Sequence, residues 1–157
     1  MTHPQNPVSG GRRATLLVSA LAGALWLGAC GMPPMSPIAK PMTASLSGAS
    51  EVPAVMGPGT GSVDASLNSA TNLLTWTITY TGLSGAATAG HFHGPAMAGE
   101  NAGVVVPLSG SLASPIVGSA TLTPAQATDL MAGRWYLNLH TAANPGGEIR
   151  GQVRPLP

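Results

Sequence analysis

The chain has 157 residues, of which 7% are charged and 44% hydrophobic, with 21 Gly and 15 Pro; an average soluble domain carries about 25% charge. That length suits one domain with appendages, while so few charges exclude a coiled coil, an acidic disordered tail and a basic nucleic-acid binder. A formal net charge of +1 leaves no electrostatic footprint for phosphate, and the single Cys excludes both an intramolecular disulfide scaffold and a Cys-based zinc finger.

The hydrophobicity is unevenly spread. Residues 14–29, ATLLVSALAGALWLGA, form an apolar run directly after Arg12 and Arg13. A basic start, a short apolar core and small residues at the end make a secretory signal, and the run is shorter than the roughly 20 residues that span a bilayer comfortably. It closes on Leu27-Gly28-Ala29-Cys30, which resembles the bacterial lipobox. That resemblance implies a lipoprotein signal peptide over 1–29 and a lipid on Cys30, whose thiolate is the nucleophile such a transfer needs. Arg12-Arg13 fits a twin-arginine export signal poorly, since Thr15 and Leu16 follow. Gly31 is compatible with outer-membrane sorting, so the expected location is the bacterial cell envelope, lipid-anchored and facing the periplasm. Without the signal the chain keeps Lys40, Arg134, Arg150 and Arg154 against Glu51, Asp64, Glu100, Asp129 and Glu148, a formal charge of −1.

Residues 30–42 hold the Cys and then GMPPMSPIAKPM, Pro- and Met-rich without periodicity, and read as an extended tether. Met32, Met35 and Met42 offer thioethers suited to Cu(I), although scattered Met in such a segment read more simply as linker. The folded domain is expected over 43–157.

Period-two alternation begins there. Val63, Ala65 and Leu67 alternate with polar residues in SVDASL, as do Leu74, Trp76, Ile78 and Tyr80 in LLTWTITY. The turn chemistry of NSATN between them predicts a hairpin. Further strands are expected at 43–49, 87–93, 103–109, 116–122, 134–141 and 148–154. About eight short antiparallel strands at this spacing predict an all-β, Greek-key sandwich or barrel. One short helix interrupts them over about 124–132: Thr123, Pro124 and Gln126 make a capping box with Pro at the first helical position, Ala127, Leu130 and Met131 share a face, and Gly133 suits the C-terminal cap. So short a helix is expected to plug an open end of the β structure.

Beyond the signal the chain has three histidines, His91, His93 and His140. His91 and His93 flank Phe92 and share one strand face; in RWYLNLHT, Trp135, Leu137 and Leu139 take the apolar face and Tyr136, Asn138 and His140 the polar one. All three imidazoles are thus expected on outward faces. A His-x-His pair with a third His from a neighbouring strand suits one Cu, Zn or Ni ion, with Glu100, Glu148 and Met97 as further donors. The same histidines would otherwise stabilise strand ends by bonding to loop backbone. Glu148 and Arg150 lie two apart at the start of the last strand, as a structural pair, a turn anchor or a supporting part of a site. In NPGG, Pro145 fixes φ while Gly146 and Gly147 permit positive φ.

The stretches SLSGASEVPAV (45–55), HFHGPAMAGENAGVVVPL (91–108) and LTPAQATDLMAGRWYLNLHTAANPGGEIRGQV (122–153), in that order around the strand ending at Tyr80, resemble the chordin-type, or CHRD, domain. WYLNLHTAANPGGEIRGQV carries it most specifically. The resemblance implies a single-domain bacterial secreted form and a β fold, and it assigns no activity. More distantly, the His-x-His strand followed much later by a strand His and a Gly-rich turn is similar to the Cu/Zn superoxide dismutase barrel. That likeness implies that His91, His93 and His140 match three copper ligands. The chain departs from it in having no fourth His, no zinc-binding His cluster, no intramolecular disulfide, and no evident active-site Arg unless Arg150 serves.

No Ser sits in a G-x-S-x-G elbow and Cys30 is taken by the lipid, so turnover through a nucleophile is not expected. The first expectation is a lipid-anchored, non-enzymatic binding or structural module, touching the membrane through Cys30 and an unknown protein partner. The second is periplasmic copper or zinc binding by His91, His93 and His140, with Asn138, Glu148 and Arg150 in support. A superoxide dismutase-like oxidoreductase is third.

Overall fold

The computed structural model describes residues 39–157; the signal segment, Cys30, Met32 and Met35 lie outside them. Eight strands form one antiparallel sheet: β1 (Ala39–Ser47), β2 (Thr60–Asn68), β3 (Leu73–Thr81), β4 (Ala87–His93), β5 (Val104–Pro107), β6 (Ile116–Thr121), β7 (Trp135–Thr141) and β8 (Ile149–Pro155). A 3-10 turn, Gly48–Ser50, follows β1, and the one α-helix among the described residues, α1 (Pro124–Met131), lies between β6 and β7. The spatial order β5-β4-β7-β8-β1-β2-β3-β6 curls into a nearly closed barrel. The pairs β4–β7, β1–β8 and β3–β6 lie side by side although other strands separate them in the chain, a non-sequential order of the Greek-key kind. Among the described residues no helix is long and apolar enough to cross a membrane.

The period-two pattern explains the core. Val63 and Leu67, Leu74, Trp76 and Ile78, and Leu137, Leu139 and Trp135 all turn inward and are buried. Phe92 bridges the barrel, 5.1 Å edge-on to Trp76 and 6.3 Å from Trp135 between ring centroids. Gly118 on β6 pairs with Trp76, and a Cβ there would run into the indole. The β2–β3 hairpin forms as the pattern predicts; the Asn68 side chain accepts from the Ala70 and Thr71 backbone N–H groups, and Asn72 takes a left-handed φ of 54°. Helix α1 carries its capping box, with Thr123 accepting from Gln126 N–H and the Gln126 side chain accepting from Thr123 N–H. Gly133 has φ +69°, and Leu130 is buried in the core.

Two expectations change. Residues 39–42 are strand rather than tether, and Met42 is a core residue, 1% exposed, rather than linker. Pro41 is tolerated because β1 pairs with β8 only from Met42 onward, which leaves the Pro41 edge free of a required N–H. Of the two glycines in NPGG, only Gly147 adopts positive φ, at +130°.

Candidate metal centre

Strand register builds the site. His91, Asn138 and Arg150 are Cα partners across β4, β7 and β8, and His93, Tyr136 and Gln152 form the next row. His140 follows Asn138 by two residues on the same face. Asn138 is therefore surrounded by His91 opposite, His93 diagonally and His140 along its own strand, all on the face turned away from Trp135, Leu137 and Leu139.

That face is not open, as alternation alone suggested. His93 and His140 are 9% and 8% exposed, and every residue of β7 is buried on both faces. The segments after β1 and after β4 fold over it: Asn101 Nδ2 donates to Val52 O, Arg150 donates to Asn101 Oδ1 and Glu100 O, and Gln152 Nε2 donates to Ala96 O and Gly133 O. The buried Arg150 guanidinium lies 3.4 Å from the Tyr136 ring centroid, a cation–π contact, and the same ring stacks on His93 at 4.7 Å and 3°.

One candidate donor atom from each of His91, His93 and His140 lies within 4.8 Å of the other two. Two of the rings are pinned from behind. His93 Nδ1–H donates to Ala102 O at 3.0 Å, and His140 Nδ1–H donates to Pro145 O at 2.9 Å. A neutral imidazole with its proton on Nδ1 carries a lone pair on Nε2. Both Nε2 atoms lie 3.0 Å from Asn138 Oδ1, and His140 Nε2 lies 3.1 Å from His91 Nδ1. The two Nε2 lone pairs and Asn138 Oδ1 are thus three acceptors that converge with no N–H among them, while His91 Nδ1–H donates to His140 Nε2 from the side. His91, half-buried, has His140 as its hydrogen-bond partner and no backbone anchor of this kind. Burial first, then repulsion from His140 and His93, holds the His91 imidazolium below its ordinary pKa. Burial likewise lowers His93, despite its hydrogen bonds to Ala102 and Asn138. Rings oriented from behind with lone pairs turned to a common point are what a metal ligand set requires.

The other sequence candidates do not join the cluster. Glu100 Oε2 accepts from Met97 N–H, and the Met97 side chain is solvent-facing. Glu148 and Arg150 form no pair with each other. Glu148 is a turn anchor that accepts from Ser84 N–H and from the Ser84, Thr141 and Asn144 side chains. Burial would raise its carboxyl, but those hydrogen bonds outweigh burial and lower it to about 2.

A sequence profile of the CHRD domain matches residues 42–153, from the middle of β1 into β8. The chain belongs to the CHRD family. Neither the curated proteins nor the solved structures supply a match to it. The matched span of this CHRD domain contains all three histidines, their pinning carbonyls and the strands that align them.

Two residues of the candidate site escaped sequence reasoning. Tyr136 was visible on the polar face of the β7 alternation, but nothing in the pattern marked it as the ring stacked on His93. Glu51, which entered the sequence reading only as one of the charged side chains, is buried beside Asn138 and Gly147; desolvation raises its pKa above the ordinary value against the opposing pull of the Arg150 charge. The scarcity of acids, five in the whole chain, was the one signal the sequence offered.

Proposed function

We propose that this CHRD domain is a metal-binding module of the bacterial cell envelope, holding one copper or zinc ion through His91, His93 and His140 and tethered by a lipid on Cys30. The observation that carries the reading is the pair of backbone-pinned imidazoles whose bare Nε2 atoms meet at Asn138 Oδ1. Pinning of Nδ1 by a carbonyl fixes the tautomer, orients the ring and raises its basicity, which is the usual support around a ligating His. Imidazole nitrogens and a carbonyl oxygen suit Cu(II) and Zn(II) better than the softer Cu(I). The ion would supply a positive charge where acceptors now face one another, and the loops over β4, β7 and β8 would shield it from bulk water on the side of His93 and His140. The module needs no turnover, and the lipid on Cys30 would hold it at the membrane surface.

The test is direct. The full chain in detergent is equilibrated with Cu(II) or Zn(II), and stoichiometry is read by native mass spectrometry. One ion per chain, lost in H140A and in H93A, supports the reading, and no binding tighter than micromolar overturns it. A copper-loaded chain that consumes superoxide no faster than buffer restricts the site to binding.

A further inference from the structure

We infer that Asn138 Oδ1 is a fourth donor of the His91–His93–His140 site, and that Glu51, seated against Gly147, is the positioning residue that turns that oxygen toward the histidines. The inference rests on the metal-binding reading and names the ligand set and its support.

An Asn side chain is nearly the same shape end for end, with two lone pairs on one end and two N–H groups on the other. Which end faces the pocket decides what the pocket can hold. With Nδ2 inward, its two hydrogens would satisfy His93 Nε2 and His140 Nε2 as ordinary hydrogen bonds and leave no lone pair for a cation. With Oδ1 inward, as observed 3.0 Å from both nitrogens, the acceptors are left facing one another. Donor atoms about 2.0–2.1 Å from one ion stand roughly 2.9 Å apart at a right angle and about 3.3 Å apart at the tetrahedral angle. The observed separations of 3.0, 3.0 and 3.1 Å fall in that range; the three imidazole donors as a set spread over as much as 4.8 Å, so the rings must draw in to close on one ion.

Glu51 supplies the choice. Its carboxylate offers only acceptors, and its Oε1 and the Asn138 Nδ2 both abut Gly147, so reversing the amide would press Oδ1 against the carboxylate. Oε1 makes no hydrogen bond of ordinary geometry with the protein although it is buried, an arrangement that costs stability. Gly147 leaves the room: a Cβ there would overlap both Glu51 Oε1 and Asn138 Nδ2.

Copper affinity of the full chain in detergent, measured by competition with a chelator, tests this on four variants whose metal-free melting points are compared with the unmodified chain. N138A weakens Cu(II) about ten- to a hundredfold, the usual range for a lost donor or support. E51Q weakens it similarly, because the Gln amide can donate to Asn138 and allow it to turn. The doubly substituted E51Q/N138A binds no worse than N138A alone. The deciding variant is E51Q/N138D, in which a carboxylate presents an oxygen whichever way it is turned, so the affinity lost in E51Q returns. If N138A stays within threefold of the unmodified chain, Asn138 is not a donor; if E51Q/N138D remains as weak as E51Q, Glu51 does not act through the amide. Electron–nuclear double resonance on the unmodified chain carrying 13C-labelled Asn needs no folded variant: a strong carbon coupling to Cu(II) supports the inference and its absence overturns it. An unmodified chain that binds no Cu(II) overturns the metal reading itself, a result separate from any of these.

Discussion

Glu148 shows how one side chain ties the site's support to pH. Its carboxylate collects hydrogen bonds from Ser84, Thr141 and Asn144, which joins the segment before β4 to the turn after β7. Because those bonds depress its pKa from 4.5 to about 2, the ionised form is favoured in the folded state. The stabilisation is fully present above pH 4.5 and is lost as pH falls from there toward 2. Replacing it in E148Q should lower stability at neutral pH by about 1–3 kcal/mol and flatten the acid limb between those pH values, read by urea denaturation at a series of pH. Gly147 is the second sensitive residue. G147A meets both a φ of +130° and the overlap with Glu51 and Asn138, so a loss of about 1–3 kcal/mol is expected, together with weaker copper binding.

Among elements, α1 and β6 depend on single local devices. The capping box makes Thr123 worth about 1 kcal/mol, so T123A should lower the denaturation midpoint by that amount without altering metal stoichiometry. On β6, Gly118 leaves the space that Trp76 fills, and G118V would push the indole toward Phe92. Overpacking of this kind costs about 1–3 kcal/mol and should be visible as altered Trp fluorescence. The β4–β7–β8 strands were legible in outline from alternation, including which residues of each share a face. Their depth of burial was not. Alternation reports which side a residue takes, while the loops after β1 and β4 cover that side through contacts such as Asn101 to Val52, which no periodicity encodes.

For the whole molecule, the proposed ion would couple its binding to folding. An ion that binds the folded chain and not the unfolded one stabilises it by about 2.7 kcal/mol at a hundred times its dissociation constant. The melting point should therefore rise by several degrees with Cu(II) or Zn(II), and the rise should vanish in H140A. At the other end of the chain, C30S should move the protein from the detergent phase to the aqueous phase in phase-separation experiments, while copper stoichiometry stays the same.

The sequence by itself determined the strands, the helix with its cap, and the sharing of one strand face by His91 with His93 and by Asn138 with His140, because period two and capping chemistry are local rules. It also concentrated the ionisable groups into a handful, since 7% charge leaves few candidates. Only the tertiary structure decided that β4 lies beside β7, that Ala102 and Pro145 carbonyls pin two rings, and that Glu51 comes back from the turn after β1 to stand beside Asn138. Those contacts join residues far apart in the chain, and their pairing is set by how the whole barrel closes rather than by any local preference of the residues involved.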